Sequence, residues 1–238
     1  MVAVPNAQYN VTSPGSFAVK VAVRMRRRMF RLFLERTGVA RDQTVLDVGA
    51  TSDRSYESSN YLEAWYPHKD RITAVGIDDA SFLEELYPGV TFRSADGRAL
   101  PFADGEFDVV HSSAVLEHVG GAENQRQFIR ELARVARRAV FVTTPNRWYP
   151  VEFHTMLPLV HWLPKQSFRT LLRLLGYESL AREENLNLLD TRELNGLAEG
   201  LPGCIAEVSS VSLLGWPSNL ILTIRKLDDG AATVRCLR

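Results

Sequence analysis

The chain has almost no cysteine: Cys204 and Cys236 are the only two in 238 residues. Two thiols build neither a disulfide framework nor a metal cluster, and so sparse a use fits a reducing cytoplasm. Charge of one sign is missing as well, because 28 Lys and Arg balance 28 Asp and Glu. No global field then draws the protein toward nucleic acid or an anionic membrane, and neither partner is expected. No apolar run is long enough to span a bilayer, and the first residues carry no basic-then-apolar leader. No grouping of His, Cys and carboxylates has metal-ligand spacing, and no serine sits in a nucleophile elbow. The glycine fingerprint needed for pyrophosphate approach is absent after Asp47, which argues against a dinucleotide oxidoreductase.

What remains is a chain that is 45% hydrophobic, enough for one substantial core and a small subdomain but hardly two full domains. Its organising stretch is Thr44-Val-Leu-Asp-Val-Gly-Ala-Thr-Ser52, an apolar, β-branched run that ends in an acidic residue, a glycine and small polar residues. Such a run reads as a buried parallel strand breaking into a turn over a ligand. Ile72-Thr-Ala-Val-Gly-Ile-Asp-Asp79 is a second apolar strand ending in two carboxylates, Asp78 and Asp79. In an open α/β sheet, ligands sit beyond the carboxyl ends of strands at the switch point, where a carboxylate can accept from both hydroxyls of a ribose.

Further strands are expected at Val90–Ala95, Phe107–His111, Ala139–Thr144, Ile205–Val211 and Asn219–Arg225, the last two joined through Gly215-Trp-Pro217. Met1–Ser16 reads as a loose arm, and Phe17 onward as a helix ended by Gly38, covering 17–37. Arg24, Arg26, Arg27, Arg28 and Arg31 on that helix could attract phosphate, but a solvated outer face is the stronger reading. Ser52-Asp53 is expected to cap a helix running to Trp65, and Asp79 to start a short helix with Phe82, Leu83 and Leu86 inward. Gln125–Arg138 has helical spacing, with Arg137 and Arg138 suiting its negative end. Residues 146–189 leave the sheet pattern and read as a lid inserted after the fifth strand, with an amphipathic helix over Phe168–Leu175. Asp190-Thr-Arg-Glu193 is a capping box for the next helix.

Asp47-Val-Gly49, Asp78, Asp96-Gly97, Leu100-Pro-Phe102, and Phe107-Asp-Val-Val followed by Val115-Leu-Glu-His-Val119 resemble, in this order, the motif series of class I S-adenosylmethionine-dependent methyltransferases of the small-molecule type. The resemblance covers about Val45 to Asn146. It implies an α/β, Rossmann-like doubly wound sheet with an antiparallel last strand, here with a small helical lid, all within one domain over residues 1–238. It also implies S-adenosylmethionine as cofactor, with Asp47, Gly49, Ala50, Thr51, Asp78, Asp79, Asp96, Gly97, Ser112 and Ser113 at its site. The family's usual loop would place glycines at Thr51 and Asp53. This cofactor carries no phosphate, so the loop need only pass close to the methionine part, where the Thr51 hydroxyl can hydrogen-bond.

Methyl transfer from a sulfonium needs alignment of the acceptor and, for a hydroxyl, removal of its proton. His118 is the candidate base, with Glu117, His111, His154 and His161 as rivals; its bland reading is a histidine bonded to backbone. Asn146, Arg147, Trp148, Tyr149 and His154 are expected to face a small-molecule acceptor such as a sugar or glycan precursor. Trp148, Tyr149, Phe153 and Trp162 either line that site or pack the insertion. Two functions stand open at this point, a cytoplasmic methyltransferase and a non-catalytic cofactor-fold module with a degenerate glycine loop. Oligomeric state is not legible.

Overall fold

A computed structural model describes residues 17–54 and 56–227; the Met1–Ser16 arm and Cys236 lie outside them. The seven strands are β1 (Val45–Val48), β2 (Ile72–Gly76), β3 (Thr91–Ser94), β4 (Phe107–Ser113), β5 (Ala136–Pro145), β6 (Cys204–Leu213) and β7 (Trp216–Lys226). They form one sheet in the order β3-β2-β1-β4-β5-β7-β6. Strands β1 to β5 are parallel, and β7 runs antiparallel to both β5 and β6. The chain winds outward from β1 to β3, then returns to lay β4 beside β1. Strand order therefore reverses between β1 and β4, and a crevice opens at their carboxyl ends.

The helices are α1 (Phe17–Thr37), α2 (Tyr61–Trp65), α3 (Phe82–Leu86), α4 (Ala122–Val135), α5 (Lys165–Leu174) and α6 (Thr191–Ala198). Side chains alternate across the strands, so the central strands feed two cores. Leu46, Val48, Val110 and Val142 pack with Phe128, Ile129 and Leu132 of α4 and Leu194 of α6. Val45, Val109, Phe141 and Ile221 point the other way, onto Met25, Met29 and Phe33 of α1 and Leu83 of α3. Burial on both faces explains why the central strands read as continuous apolar runs.

Arg24, Arg27, Arg28 and Arg31 of α1 are exposed. Arg26 is the exception, since it turns inward and donates to Ser58 Oγ at 2.9 Å. The insertion carries α5 and a small core of its own, built from Phe168, Leu172, Leu180, Ala181, Leu186 and Leu188. The capping box at Asp190 forms as expected: Glu193 N donates to Asp190 Oδ1 at 2.9 Å and Asp190 N to Glu193 Oε2 at 3.0 Å. No helix among the described residues is long and apolar enough to cross a membrane.

Three local expectations are corrected. Ser52-Asp53 caps no helix; residues 51–54 and 56 lie outside any helix, and a 3-10 turn over Glu57–Asn60 leads into α2. Side chains hold that loop, because Asn60 Oδ1 accepts from Thr51 N at 2.9 Å, Asn60 Nδ2 donates to Thr51 O at 3.0 Å, and Ser59 Oγ donates to Asp53 Oδ2 at 2.8 Å. Such local bonds compete successfully with helix formation. Arg137 and Arg138 do not end α4, since β5 begins at Ala136 and pairs it with Phe107. Arg137 reaches Asp108 Oδ1 at 3.0 Å. Leu86 is 59% exposed, because α3 is too short for its second turn to meet the sheet.

Candidate active site

The crevice at the ends of β1, β2 and β4 is shaped by three glycines. Gly49 has φ +115°, and a Cβ there would lie inside Val115 Cγ2. A Cβ on Gly76 would strike the Ala50 carbonyl, and one on Gly97 would enter the Phe128 ring. Backbone can thus approach closely at each strand end. Gly49 N and Ala50 N both donate to Val75 O, at 2.7 and 2.9 Å, which ties the first turn to β2. The two strand-end carboxylates separate in role. Asp79 Oδ1 accepts from Ser81 N at 2.9 Å in the turn before α3. Asp78 has no side-chain hydrogen bond or ion pair among the described residues, and its neighbour Ile77 is 73% exposed. An apolar side chain beside an available carboxylate, over close-approaching backbone, fits the base and ribose of an adenosyl group.

Other expected residues are engaged within the protein. Asp96 holds Arg98 through both carboxylate oxygens, with Nη2 to Oδ2 at 2.6 Å. Ser112 Oγ donates to Val48 O at 2.7 Å, and Ser113 Oγ lies 2.8 Å from Thr143 Oγ1. Thr51 Oγ1 accepts from Asp53 N at 3.2 Å.

Asp47 points away from the crevice into the core beneath α1 and α2, as parallel register with His111 requires. His111 Nδ1 lies 2.5 Å from Asp47 Oδ1, and Tyr61 OH lies 2.8 Å from His111 Nε2. Glu63 completes this buried polar row, which the sequence does not show because its members come from three separate elements. Burial pushes Asp47 up to about 7 and drops His111 to about 4. Burial, then the Asp47 charge, raises Glu63 well above the ordinary carboxyl range, which favours its protonated form.

A carboxyl raised in the fold stays protonated there after it has ionised in the unfolded chain. Its contribution to stability is full below the unfolded value, about 4.3 for Glu, and declines as pH rises toward the folded value. Glu63→Gln removes that liability. The variant is expected to gain in melting temperature over the parent as pH rises above the unfolded Glu value of about 4.3. Parallel melting curves across that range would show that Glu63 ionises in the fold.

On the other side of β4, a 3-10 turn over Leu116–His118 meets the insertion. His118 Nδ1 lies 2.6 Å from Asn185 O, and its Nε2 lies 3.2 Å from Nε2 of His154. His154 Nδ1 lies 2.5 Å from Glu152 Oε1. Glu117 is fully buried and accepts from Thr144 Oγ1 at Oε2, 2.9 Å away. Burial would lower His154, but the bond to Glu152 and the charges of Glu152 and Glu117 raise it; the same bond holds Glu152 down at about 2 against its own burial. Burial first, then neighbouring His154, drops His118 to about 3. The structure therefore joins His118 and His154, 36 residues apart and unlinked by any spacing rule.

Asn146 anchors the start of the insertion, with Nδ2 donating to Pro217 O at 2.9 Å and Oδ1 accepting from Trp148 N at 3.1 Å. Arg147 donates to Leu163 O at 3.0 Å. Tyr149 stacks on Phe153, while Trp162 contacts both Trp148 and Trp216. Trp148 and Phe153 remain 42% and 39% exposed, so half of each aromatic pair packs and half faces out.

Residues 46–142 match the family described as "Methyltransferase domain". The norajmaline N-methyltransferase of Rauvolfia serpentina is 43% identical over 63 residues, which is 26% of this chain and 20% of that protein. The match thus spans about a fifth of that relative's length. Magnesium protoporphyrin IX methyltransferase from Synechocystis PCC 6803, solved with bound SAH, superposes with a TM-score of 0.56 over 90% of each chain at 16% identity. An N-methyltransferase from Bradyrhizobium japonicum WM9 does so with a TM-score of 0.55 over 88% of this chain and 98% of its own, at 12% identity. At such identities the likeness is one of fold, and it includes the antiparallel strand near the sheet edge. Residues 46–142 thus match a methyltransferase-domain family, and the seven-stranded sheet built around them has the fold of these solved methyltransferases.

Proposed function

We propose that the protein transfers a methyl group from S-adenosylmethionine to a small-molecule acceptor, within one methyltransferase-like domain whose 146–189 insertion acts as a lid. The observation that carries this reading is Asp78, a carboxylate without a partner among the described residues, at the end of β2 beside Gly49, Gly76 and Gly97. Asp78 accepts from the ribose hydroxyls, Ile77 packs on the adenine, and Gly49 and Ala50 let the backbone pass the methionine part. Asp96-Gly97 borders the base, with the Arg98 pairing orienting the Asp96 carboxylate. Asp47, Ser112 and Ser113 support the cradle from beneath. The cofactor, when bound, supplies an electrophilic methyl on a sulfonium, and everything else asked of the chain is alignment and proton removal.

The acceptor lies between the β4 turn and the insertion, against His118, His154, Tyr149 and Trp148. A group whose conjugate acid lies near 3 takes protons poorly at neutral pH. His118 is therefore read as a positioning group on the acceptor side, held by Asn185, in place of the general base expected of it. The exposed faces of Trp148 and Phe153 suit a flat or sugar-like acceptor. Sparse cysteine keeps the cytoplasm as the place of action.

Calorimetry with S-adenosylmethionine and S-adenosylhomocysteine tests the reading. Asp78→Ala should weaken either by about 1.5–3 kcal/mol, the worth of hydrogen bonds to a charged group. Unchanged affinity with an intact fold would refute the ribose assignment. Cofactor binding without turnover on any acceptor would favour the non-catalytic module instead.

A further inference from the structure

We propose that Glu117, His118 and His154 bind one divalent transition-metal ion of the zinc type. One ligand atom from each of the three residues lies within 4.8 Å of the others. The two Nε2 atoms are 3.2 Å apart. Two nitrogens held at about 2.0–2.1 Å by a tetrahedral zinc stand about 3.3 Å apart, so the imidazoles already have the spacing of co-ligands. His118 Nε2 is 3.9 Å from Glu117 Oε1, close enough to converge with a small movement of either side chain.

Each ligand is also fixed from behind, at its other polar atom. Asn185 O holds His118 Nδ1, Glu152 Oε1 holds His154 Nδ1, and Thr144 Oγ1 holds Glu117 Oε2. Glu152 is itself secured by Thr155 N and Thr155 Oγ1, both at 2.7 Å. A histidine donating its remote N–H to a carboxylate or carbonyl is the arrangement that orients metal ligands and raises their basicity.

The remaining oxygen, Glu117 Oε1, is buried and has no hydrogen-bond partner. Leaving a carboxylate oxygen buried and unpaired is costly. An ion-pair account, with a protonated His154 donating from Nε2 to His118, satisfies the imidazoles and leaves this oxygen stranded. A cation between the three atoms satisfies all of them. Two imidazoles and one carboxylate suit zinc and its first-row neighbours, whereas magnesium and calcium favour all-oxygen shells. Three protein ligands leave a fourth position open. Resting on the methyl-transfer reading, that position takes an oxygen or nitrogen donor of the acceptor.

The test uses the full-length, tag-free chain after chelator treatment, titrated with zinc by calorimetry and with cobalt by visible absorption. One ion per chain is expected, with the absorption of a four- or five-coordinate nitrogen and oxygen site. Glu117→Gln, which keeps the size of the side chain, and His118→Ala combined with His154→Ala should abolish that binding. Glu152→Gln should weaken it by about 10–100-fold, as loss of a group that orients a ligand does. Absence of one-to-one binding, equal binding by the double variant, or saturation by magnesium at the same midpoint would overturn the proposal. S-adenosylhomocysteine calorimetry and melting curves on the same samples report on the fold and separate the two readings. Zinc binding without S-adenosylhomocysteine binding keeps the metal site and sinks methyl transfer, and the opposite pattern does the reverse.

Discussion

Gly49→Ala is expected to destabilise the fold by about 2–4 kcal/mol and to remove measurable binding of S-adenosylhomocysteine. Two separable costs make up that figure. The backbone there has φ +115°, a conformation that an L side chain resists by roughly 1–2 kcal/mol. The new methyl would also occupy the space of Val115 Cγ2, and forcing an extra carbon into packed surroundings costs about 1–3 kcal/mol. The second cost can be relieved independently. Val115→Ala deletes the obstructing methyl, so the Gly49→Ala/Val115→Ala double variant should be less destabilised than additivity requires. Urea denaturation of the four proteins in the cycle measures the coupling. Strict additivity would mean that the β1 and β4 turns do not meet at this point, and the crevice described above would lose its inner wall.

The second large effect is expected at Phe33, on α1. Its side chain is fully buried, edge-on to His111 at 5.1 Å and to Phe141 at 5.7 Å between ring centroids. Truncation of a buried Phe typically costs about 3–5 kcal/mol, through lost transfer energy and the cavity left behind. Phe33→Ala should therefore lower the denaturation midpoint sharply, while Phe33→Leu, which refills most of the volume, should cost much less. Phe33 also walls off the Asp47–His111 pair. Opening that wall lets water reach His111, so its pKa should climb from about 4 toward the ordinary histidine value. Nuclear magnetic resonance titration of the imidazole reads this directly. A small loss of stability with no movement of His111 would mean that α1 is only loosely seated on the sheet.

The sheet was legible in the sequence because a strand buried on both faces is a short apolar run bounded by turn residues, and all seven such runs became strands. Gly49, Asp78 and Gly97 do follow the ends of β1, β2 and β3, and parallel strands present those ends on one edge. Periodicity also marked 146–189 as leaving the sheet, and Asp190 with Glu193 as a helix start, because capping is a contact between near neighbours in sequence.

Long-range contacts were beyond it. Asp47 read as a ligand-facing acid, yet parallel register sets it against His111 and turns both into the core. Asp78 and Asp79 are chemically equivalent as letters; only the Ser81 backbone amide, claiming Asp79, distinguishes them. Ser52-Asp53 looked like a helix cap until Asn60 and Ser59 closed the loop from its far side. Glu117 and His118 became neighbours of His154 because the insertion folds back on the turn after β4. Local patterns set strands, turns and caps, since those interactions close within a few residues. Carboxylate burial and the meeting of polar groups from distant elements depend on contacts that only the packed chain makes.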